Sequence, residues 1–321
     1  MSAFADPMTH LPLSEGKAEL LSPGGCSFPI IGGIPRFCEV NNYTSSFGLQ
    51  WNQFQRTQID REGAAGEASA ERLFAETGWD PRELDGLDIL EVGSGAGRFS
   101  RALLEHTRAN LYSIDYSTAV EANWRNNHQI GRGRFFLAQA SIYEMPFPDS
   151  RFDKVLCLGV LQHTPDFERS VAALIAKAKP GAEIVVDFYP VRGWWTKVHA
   201  KYLLRPITKR MSPDRLLWLI EHNATWLLRA SDLFERLNLG LLRRFLPFVD
   251  VRNALPPGLS AEERREWAVL DTFDMFSPEY DKPQRLKSVA RMFEHHGADI
   301  RFAGEIQTQS GRAAVVRAVR L

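Results

Sequence analysis

The segment ILEVGSGAGRF, residues 89–99, constrains the fold of this chain more than any other part of its sequence. An apolar run that ends in Glu91 leads into Gly93, Gly95 and Gly97, and the residues that follow have a helical pattern. Because glycine has no Cβ, it lets the backbone turn sharply and approach a ligand closely. The segment therefore predicts a strand, a ligand-binding turn and a helix, the opening unit of an α/β sheet.

The spacing of these glycines favours a nucleoside without phosphates. The loop reads G-x-G-x-G, and Arg98 stands where the dinucleotide fingerprint has its third glycine, so no small residue is offered beside a pyrophosphate. Asp115 ends the next apolar run, at about the distance along the chain where a carboxylate binds the hydroxyls of a ribose. The alternative for Glu91 and Asp115 is a structural role as caps of the neighbouring loop and helix.

Runs rich in β-forming residues alternate with helical patterns, which predicts a parallel sheet with helices on both faces. The runs are 88–92, 109–115, 133–139, 153–159 and 183–189. Two C-terminal runs, 299–306 and 313–321, are joined by a turn and predict a hairpin. The sequence thus indicates an α/β fold, a Rossmann-like doubly wound sheet of about seven mostly parallel strands. A terminal antiparallel hairpin closes the sheet, and a helical lid is inserted over 191–282.

Charge and cysteine content argue against several classes of protein. Lys plus Arg and Asp plus Glu both number 39, so no net charge attracts nucleic acid or an anionic membrane. Cys26, Cys38 and Cys157 are an odd number without close ligand spacing, which argues against a disulfide framework. The N-terminus has no basic leader, and no apolar run is long enough for a membrane span. We therefore expect a soluble, cytoplasmic protein.

The residues resemble the class I family of S-adenosylmethionine-dependent methyltransferases. Glu91, the loop 93–97 and Asp115 match the family's strand-end acid, glycine loop and second-strand acid. The likeness continues through 147–166 and 179–186. The resemblance implies an enzyme that binds S-adenosylmethionine at the carboxyl ends of the strands, releases S-adenosylhomocysteine and needs no metal.

The resemblance also implies which residues hold the donor. They are Glu91, Gly93, Ser94, Gly95, Gly97, Asp115, Tyr116, Ser141, Ile142, Leu158 and Gly159. Relatives often have an acid at the position of Ser141, whose hydroxyl still accepts a hydrogen bond. Leu158, Gly159, Gln162 and His163 are expected near the sulfonium and the acceptor.

His163 is the candidate general base, because an imidazole that titrates near neutrality can take the proton of an acceptor hydroxyl. The alternative is a histidine that caps the next helix or bonds a backbone carbonyl. An amine or thiol acceptor needs no strong base, so alignment and dehydration of the reactants are a second source of rate acceleration.

The whole chain resembles a subgroup of these methyltransferases that is often found in bacterial surface-polysaccharide biosynthesis. The segments that carry this likeness are 33–37, 45–60, 159–166, 205–211 and 270–283. In relatives the first segment resembles half a zinc ribbon. Here Ser22 and Gly25 stand at the implied ligand positions and Cys26 stands alone, so we predict no zinc.

Aromatic residues at near-helical spacing predict a helix that lies over the donor pocket. They are Tyr43, Phe47, Trp51 and Phe54. Gln50, Asn52 and Arg56 are then the polar groups available to the donor or the acceptor, with Arg56 assigned to the donor site. Ordinary packing of an N-terminal helix on the sheet is the alternative for the aromatic residues, and a surface position is the alternative for Arg56.

The predicted lid is basic. Residues 192–244 hold eleven Lys or Arg against four acids, which leaves a net charge of +7. Four tryptophans, Trp194, Trp195, Trp218 and Trp226, lie among them. Either this region docks an anionic acceptor or touches a membrane surface, or it is a solvated lid with tryptophans in its core. A following loop carries acids that either pair with Arg205 or Lys209 or contact the acceptor; its candidate residues are Asp271, Asp274, Glu279 and Tyr280.

The sequence is interpreted as four regions. These are an N-terminal segment that covers the donor site (1–80), the donor-binding core (81–190), the lid (191–282) and a C-terminal helix and hairpin (283–321). The predicted reaction is methyl transfer to an oxygen of a small-molecule acceptor, such as a nucleotide- or lipid-linked sugar, with no nucleic-acid partner. The alternatives are a nicotinamide-dependent oxidoreductase and a non-catalytic S-adenosylmethionine-binding scaffold protein.

Overall fold

The computed structural model describes most of the chain, namely residues 3–39, 42–59, 68–191, 193, 198–239, 242–249, 259–309 and 311–321. The N-terminal part forms a small antiparallel sheet in the order β1-β2-β3-β4. Its strands are β1 (Ser14–Glu15), β2 (Glu19–Leu21), β3 (Ser27–Ile31) and β4 (Ile34–Pro35). Sequence analysis did not predict these strands, because three of them have only two or three residues and β3 lies in a segment rich in glycine and proline.

A seven-stranded sheet forms the centre of the molecule. Its strands are β5 (Asp88–Val92), β6 (Asn110–Asp115), β7 (Phe135–Gln139), β8 (Phe152–Cys157), β9 (Ala178–Phe188), β10 (Ala298–Thr308) and β11 (Gly311–Arg320). The order is β10-β11-β9-β8-β5-β6-β7, and β5 to β9 are mutually parallel. β11 runs antiparallel to both β9 and β10. The predicted α/β class, sheet and terminal hairpin are confirmed.

Helices cover both faces of this sheet. The α-helices of the described residues, both those on the sheet and those of the insertion described below, are α1 (Ser45–Gln53), α2 (Ala68–Thr77), α3 (Arg98–His106), α4 (Val120–Asn127), α5 (Phe167–Lys177), α6 (Ala200–Thr208), α7 (Pro213–Arg236), α8 (Ala261–Phe276) and α9 (Leu286–His295). Successive strand residues alternate between two cores: Leu90 and Val186 belong to one, Ile89 and Val185 to the other. All four are almost fully buried, as strands with both faces covered require.

The region between β9 and α9 contains α6, α7 and α8, which makes it the helical insertion that the sequence predicted. It has its own core, in which Leu216 and Ile220 of α7 pack with Phe273 of α8 and Phe54 of the N-terminal segment. Trp218 and Trp226 lie outside this core and are 54% and 53% exposed. The two predictions on Trp194 and Trp195 lie outside the described residues.

Two peripheral features of the chain can be described, the degenerate knuckle and the capacity of the helices to span a membrane. At the predicted degenerate knuckle, the Ser22 hydroxyl donates a hydrogen bond to the Asp6 carboxylate, and Cys26 is exposed. None of the helices in the described ranges combines the length and the apolar content that crossing a membrane demands.

Candidate active site

A cavity of about 570 Å³ lies at the carboxyl ends of the parallel strands. Its floor includes residues at or just beyond the ends of β5, β6, β8 and β9, namely Val92, Asp115, Leu158 and Phe188. Residues of α1 and α8 form the opposite walls. This is the edge at which open α/β sheets bind their ligands.

The glycine loop contributes to the cavity unevenly. Gly93 and Gly95 lie on its wall in the left-handed region, with φ of 79° and 54°. Gly97 does not line the cavity: its carbonyl accepts a hydrogen bond from the Asn127 side chain at 2.9 Å, and a Cβ there would overlap Asn123. The family resemblance implies a donor contact for Gly97, but its position indicates close packing of α3 against α4.

Asp115 lies on the cavity wall and also organises the loop. Its carboxylate accepts hydrogen bonds from the backbone N–H of Gly95 at 2.8 Å and from the N–H and hydroxyl of Ser117 at 2.8 and 2.6 Å. Burial raises the pKa of this carboxyl above its ordinary value, while these hydrogen bonds oppose the rise. Asp115 therefore both caps the segment that begins at Ser117 and faces the cavity.

Glu91 lies behind the loop and not on the cavity wall. Its carboxylate accepts hydrogen bonds from the hydroxyls of Ser113, at 2.9 Å, and Ser100. Burial raises the pKa of Glu91 to about 7. The structure therefore places this predicted donor ligand under the loop, where its hydrogen bonds join β5 to β6 and α3.

The other predicted donor residues divide into two groups. Ser94, Tyr116, Ile142, Leu158 and Gly159 line the cavity. Ser141 does not line it, and its hydroxyl accepts a hydrogen bond from the backbone N–H of Tyr143 at 3.2 Å.

Arg56 is exposed and lies away from the cavity wall, so the surface alternative describes its position. It follows the end of α1 at Gln53, where the helical spacing behind the prediction no longer applies. Gln55 and Gln58, on either side of it, line the cavity instead.

Helix α1 lies across the cavity, as predicted. Tyr43, Phe47, Trp51 and Phe54 all line it, and the Trp51 indole packs over the loop, 3.2 Å from where a Cβ on Gly95 would lie. The Asn52 amide donates to the Thr118 carbonyl at 3.0 Å, which fixes α1 beside the end of β6.

His163 lies in a short 3-10 helix after β8 and faces the same cavity. Its Nδ1 lies 3.0 Å from the Tyr280 carbonyl oxygen. Because a carbonyl only accepts, Nδ1 carries the proton and Nε2 carries the lone pair in the neutral ring. Burial lowers the pKa of His163 below its ordinary value. The bond to a backbone carbonyl, one of the two alternatives of the sequence analysis, is therefore present, and it leaves Nε2 as the nitrogen that can accept a proton; the role of His163 as a base stays a prediction.

Two glutamine amides on the cavity wall are buried without hydrogen-bond partners. Gln50 of α1 and Gln162, next to His163, are both 0% exposed. Neither the amide nitrogen nor the oxygen of either side chain has a partner among the residues that the structure describes. An unpaired buried polar group is costly, so these four atoms are candidates for contact with a bound ligand.

Sequence analysis missed an ion-pair network at the end of β9. Arg72 of α2 donates to Asp187 at 2.7 Å and to Glu76 at 2.7 Å, and the Gly159 N–H donates to Asp187. Arg72 and Asp187 both line the cavity. Burial and the nearby Asp187 charge raise the pKa of Glu76 to about 8. No local motif marks this network, since Arg72 and Asp187 are far apart in the sequence.

The acidic segment at the end of the predicted lid is a helix as far as Phe276, and not a loop. Asp271 and Asp274 of α8 line the cavity, and the Tyr189 hydroxyl donates to Asp274 at 3.1 Å. Burial and the Asp274 charge raise the pKa of Asp271 to about 7.

Arg205 does not pair with either of these acids. It donates instead to the carbonyls of Met275 and Pro278, at 3.3 and 2.8 Å. Glu279 is exposed and Tyr280 supplies the carbonyl that orients His163. The two helix acids therefore face the cavity without a bond to Arg205, and their contact with the acceptor stays a prediction.

Comparison with known proteins gives a family match in the core of this site. Residues 90–186, which include the glycine loop, Asp115 and His163, match the family described as Methyltransferase domain. The matched region holds the glycine loop and strands of the parallel sheet, so this part of the chain is similar to methyltransferase domains, a likeness that supports S-adenosylmethionine as the cofactor.

Curated relatives match over parts of their length. Over 110 residues the chain is 27% identical to a tRNA U34 carboxymethyltransferase of Nautilia profundicola, covering 34% of this chain and 37% of that protein. Over 166 residues it is 30% identical to 24-methylenesterol C-methyltransferase 2 of Arabidopsis thaliana, covering 47% and 43%. Over 130 residues it is 30% identical to a ubiquinone biosynthesis O-methyltransferase of Pseudomonas fluorescens, covering 38% and 54%. The chain thus spans between about a third and about half of these relatives.

Among solved structures, the chain is similar to magnesium protoporphyrin IX methyltransferase from Synechocystis PCC 6803. The two are 15% identical, the match covers 87% of this chain and 97% of that one, and the TM-score is 0.49.

Proposed function

We propose that this protein is an S-adenosylmethionine-dependent methyltransferase that acts on an oxygen of a small-molecule acceptor, a sugar or a related biosynthetic intermediate. The observation that carries the proposal is one shared cavity. Its wall holds Asp115 and the glycine loop of a methyltransferase domain, and it also holds His163 with Nε2 as the basic nitrogen. Relatives named for sterol and ubiquinone substrates support a small-molecule acceptor.

The residues around the loop fit an adenosine donor. Gly93 and Gly95 expose backbone in the left-handed region, Asp115 offers a carboxylate, and Tyr116 and Ile142 offer an apolar wall for a base. The unpartnered amides of Gln50 and Gln162 fit the same ligand pair, since a bound donor or acceptor would satisfy them. Arg98, in place of a third loop glycine, disfavours the nicotinamide alternative.

When bound, the donor supplies an electrophilic methyl group on a sulfonium. The chain's own residues position the acceptor and handle its proton. His163 Nε2 accepts the proton of the acceptor hydroxyl, while Nδ1–H stays bonded to the Tyr280 carbonyl and stabilises the resulting imidazolium. The aromatic residues of α1 exclude water from the reacting groups.

The acceptor wall suits a hydroxyl-bearing ring. Asp271 and Asp274 offer carboxyl groups to hydroxyls, and the rings of Tyr43 and Tyr189 offer flat apolar faces to C–H groups. This combination favours a sugar over a purely hydrocarbon substrate, which would bring no hydrogen-bonding group to these two carboxyl groups.

The test is calorimetric titration with S-adenosylhomocysteine. We expect micromolar binding to the wild type, strong weakening in Asp115→Ala and Asp115→Asn, and no change in Asp299→Ala, whose side chain lies at the surface on β10. Circular dichroism verifies that each variant is folded. A folded wild type that ignores S-adenosylhomocysteine but binds a nicotinamide cofactor would overturn the proposal. Binding would justify an acceptor screen that begins with nucleotide-linked sugars.

A further inference from the structure

Exposed apolar side chains concentrate on one part of the molecule. Of the fifteen large apolar residues with high exposure among the described residues, nine lie between Leu203 and Phe245. On most soluble proteins such residues are exposed singly, so a concentration of them indicates an interaction surface.

Three of these nine residues, Trp218, Trp226 and Leu233, lie on the outward face of α7. Seven exposed residues, Arg215, Trp218, His222, Trp226, Arg229, Leu233 and Arg236, follow one another at helical spacing. At 3.6 residues per turn they fall within an arc of about 80°. We call these seven residues the α7 stripe. The opposite side of the helix, including Leu216, Ile220 and Leu227, is buried in the core of the insertion.

The stripe is positively charged and contains no acid. The four acids of α7 lie at least about 40° beyond its edge. Two of these acids have partners elsewhere: Asp232 pairs with Arg264 at 2.9 Å, and Glu221 accepts from the Gln53 amide at 3.0 Å. The stripe thus combines three arginines with two tryptophans and a leucine and includes no acidic residue.

We propose that the α7 stripe docks the protein on the surface of an anionic lipid bilayer. The side chains of Trp218, Trp226 and Leu233 would insert into the apolar region below the headgroups, and the arginines would bind the anionic headgroups of the same membrane surface. Tryptophan and arginine are suited to the interface, because each combines an apolar body with a polar end.

A second copy of the chain does not fit the stripe as well. A two-fold interface centred on the stripe would bring arginines of one copy towards arginines of the other, with no acids between them. The stripe binds a surface and does not cross it, because α7 is amphipathic and its buried face belongs to the protein core.

The experiment measures co-sedimentation of the full chain with vesicles of phosphatidylcholine, with and without added phosphatidylglycerol. We expect binding to the anionic vesicles that weakens with salt. Arg215→Gln with Arg229→Gln should lower the partition coefficient by about fivefold per removed charge. Trp218→Ser with Trp226→Ser should lower it by at least about tenfold.

The matched control is Ile31→Ser with Arg132→Glu, an exposed apolar residue and an exposed cation outside the insertion. This control should bind vesicles like the wild type, and all variants should keep the wild-type circular dichroism. Equal binding to neutral vesicles, or stripe variants that bind as the wild type does, would overturn the proposal. Light scattering that shows a wild-type dimer, dissociated by the tryptophan substitutions, without vesicle binding would assign the stripe to self-association instead.

Discussion

The backbone N–H of Gly95 donates a hydrogen bond to the Asp115 carboxylate at 2.8 Å, which ties the glycine loop after β5 to the end of β6. Ser117 holds the same carboxylate from the other side, with its N–H at 2.8 Å. The glycine loop and the acid at the end of β6, which are separate features of the sequence motif, therefore form one structural unit. A change in either residue should disturb the whole floor of the cavity.

Gly95→Ala should weaken donor binding more than it weakens the fold. Its φ is 54°, and the new Cβ would lie 3.2 Å from Trp51. Gly133 is a matched control, since its φ is 76° and nothing lies within 4 Å of its Cβ position. In both variants the alanine must adopt the left-handed conformation, which costs about 1–2 kcal/mol of conformational energy. Titration with S-adenosylhomocysteine should show a loss of about tenfold or more for Gly95→Ala alone. Equal affinities of the two variants would contradict this.

His163→Gln should lower turnover with a hydroxyl acceptor by about a hundredfold while donor affinity stays near that of the wild type. In His128, Nδ1 likewise lies 2.6 Å from a carbonyl oxygen, that of Trp124, but the residue does not line the cavity. His128→Gln is therefore the control and should retain full turnover. A loss of less than about tenfold in His163→Gln would remove its role as a base.

The same substitution should change the dependence of stability on pH. The pKa of His163 is lowered in the folded protein, so between that value and about 6.5 the unfolded chain binds more protons. Stability in the wild type should therefore fall as pH falls below about 6.5, and His163→Gln should reduce this fall. Urea unfolding at several pH values measures the effect, and identical curves for both proteins would refute it.

Glu76→Gln should increase stability in alkaline relative to mildly acidic solution. The folded-state pKa of Glu76 is raised to about 8, so its favourable contribution is complete below its unfolded pKa and is lost as pH rises through about 8. Glu105→Gln is the matched control, because Glu105 also pairs with an arginine at i−4, at 2.8 Å, but is exposed. Urea unfolding at pH values on both sides of the raised pKa should show the pH-dependent gain for Glu76→Gln alone.

Gln162→Leu should lower turnover without lowering stability. Its amide atoms have no partner within the described residues, so the folded protein loses no hydrogen bond. Gln139 is equally buried, but its amide accepts from Arg36 at 3.0 Å and donates to the Tyr116 carbonyl at 3.1 Å. Gln139→Leu should therefore cost about 1–3 kcal/mol of unfolding free energy. Thermal unfolding of the two variants tests the contrast, and an equal loss would assign Gln162 to the fold.

Local sequence patterns predicted most of the fold. The strand, glycine loop and helix over 88–106 appear in the structure because backbone conformation there follows from residue type at short range. The alternation of strands and helices predicted the parallel sheet, and the spacing of Phe47 and Trp51 predicted α1 and the face it turns to the cavity. Each of these signals lies within one element or one turn.

Tertiary structure decided which motif residues face the cavity and which support it. Glu91, Gly97 and Arg56 belong to the sequence patterns, yet two of them lie behind the wall and one lies at the surface. Arg72 and Asp187 reach the wall although no motif includes them, because α2 and β9 meet only when the sheet is assembled. A sequence states the order of side chains along an element. Their orientation and their partners depend on packing between elements distant in the chain, and that packing made Asp115 and His163 parts of one site.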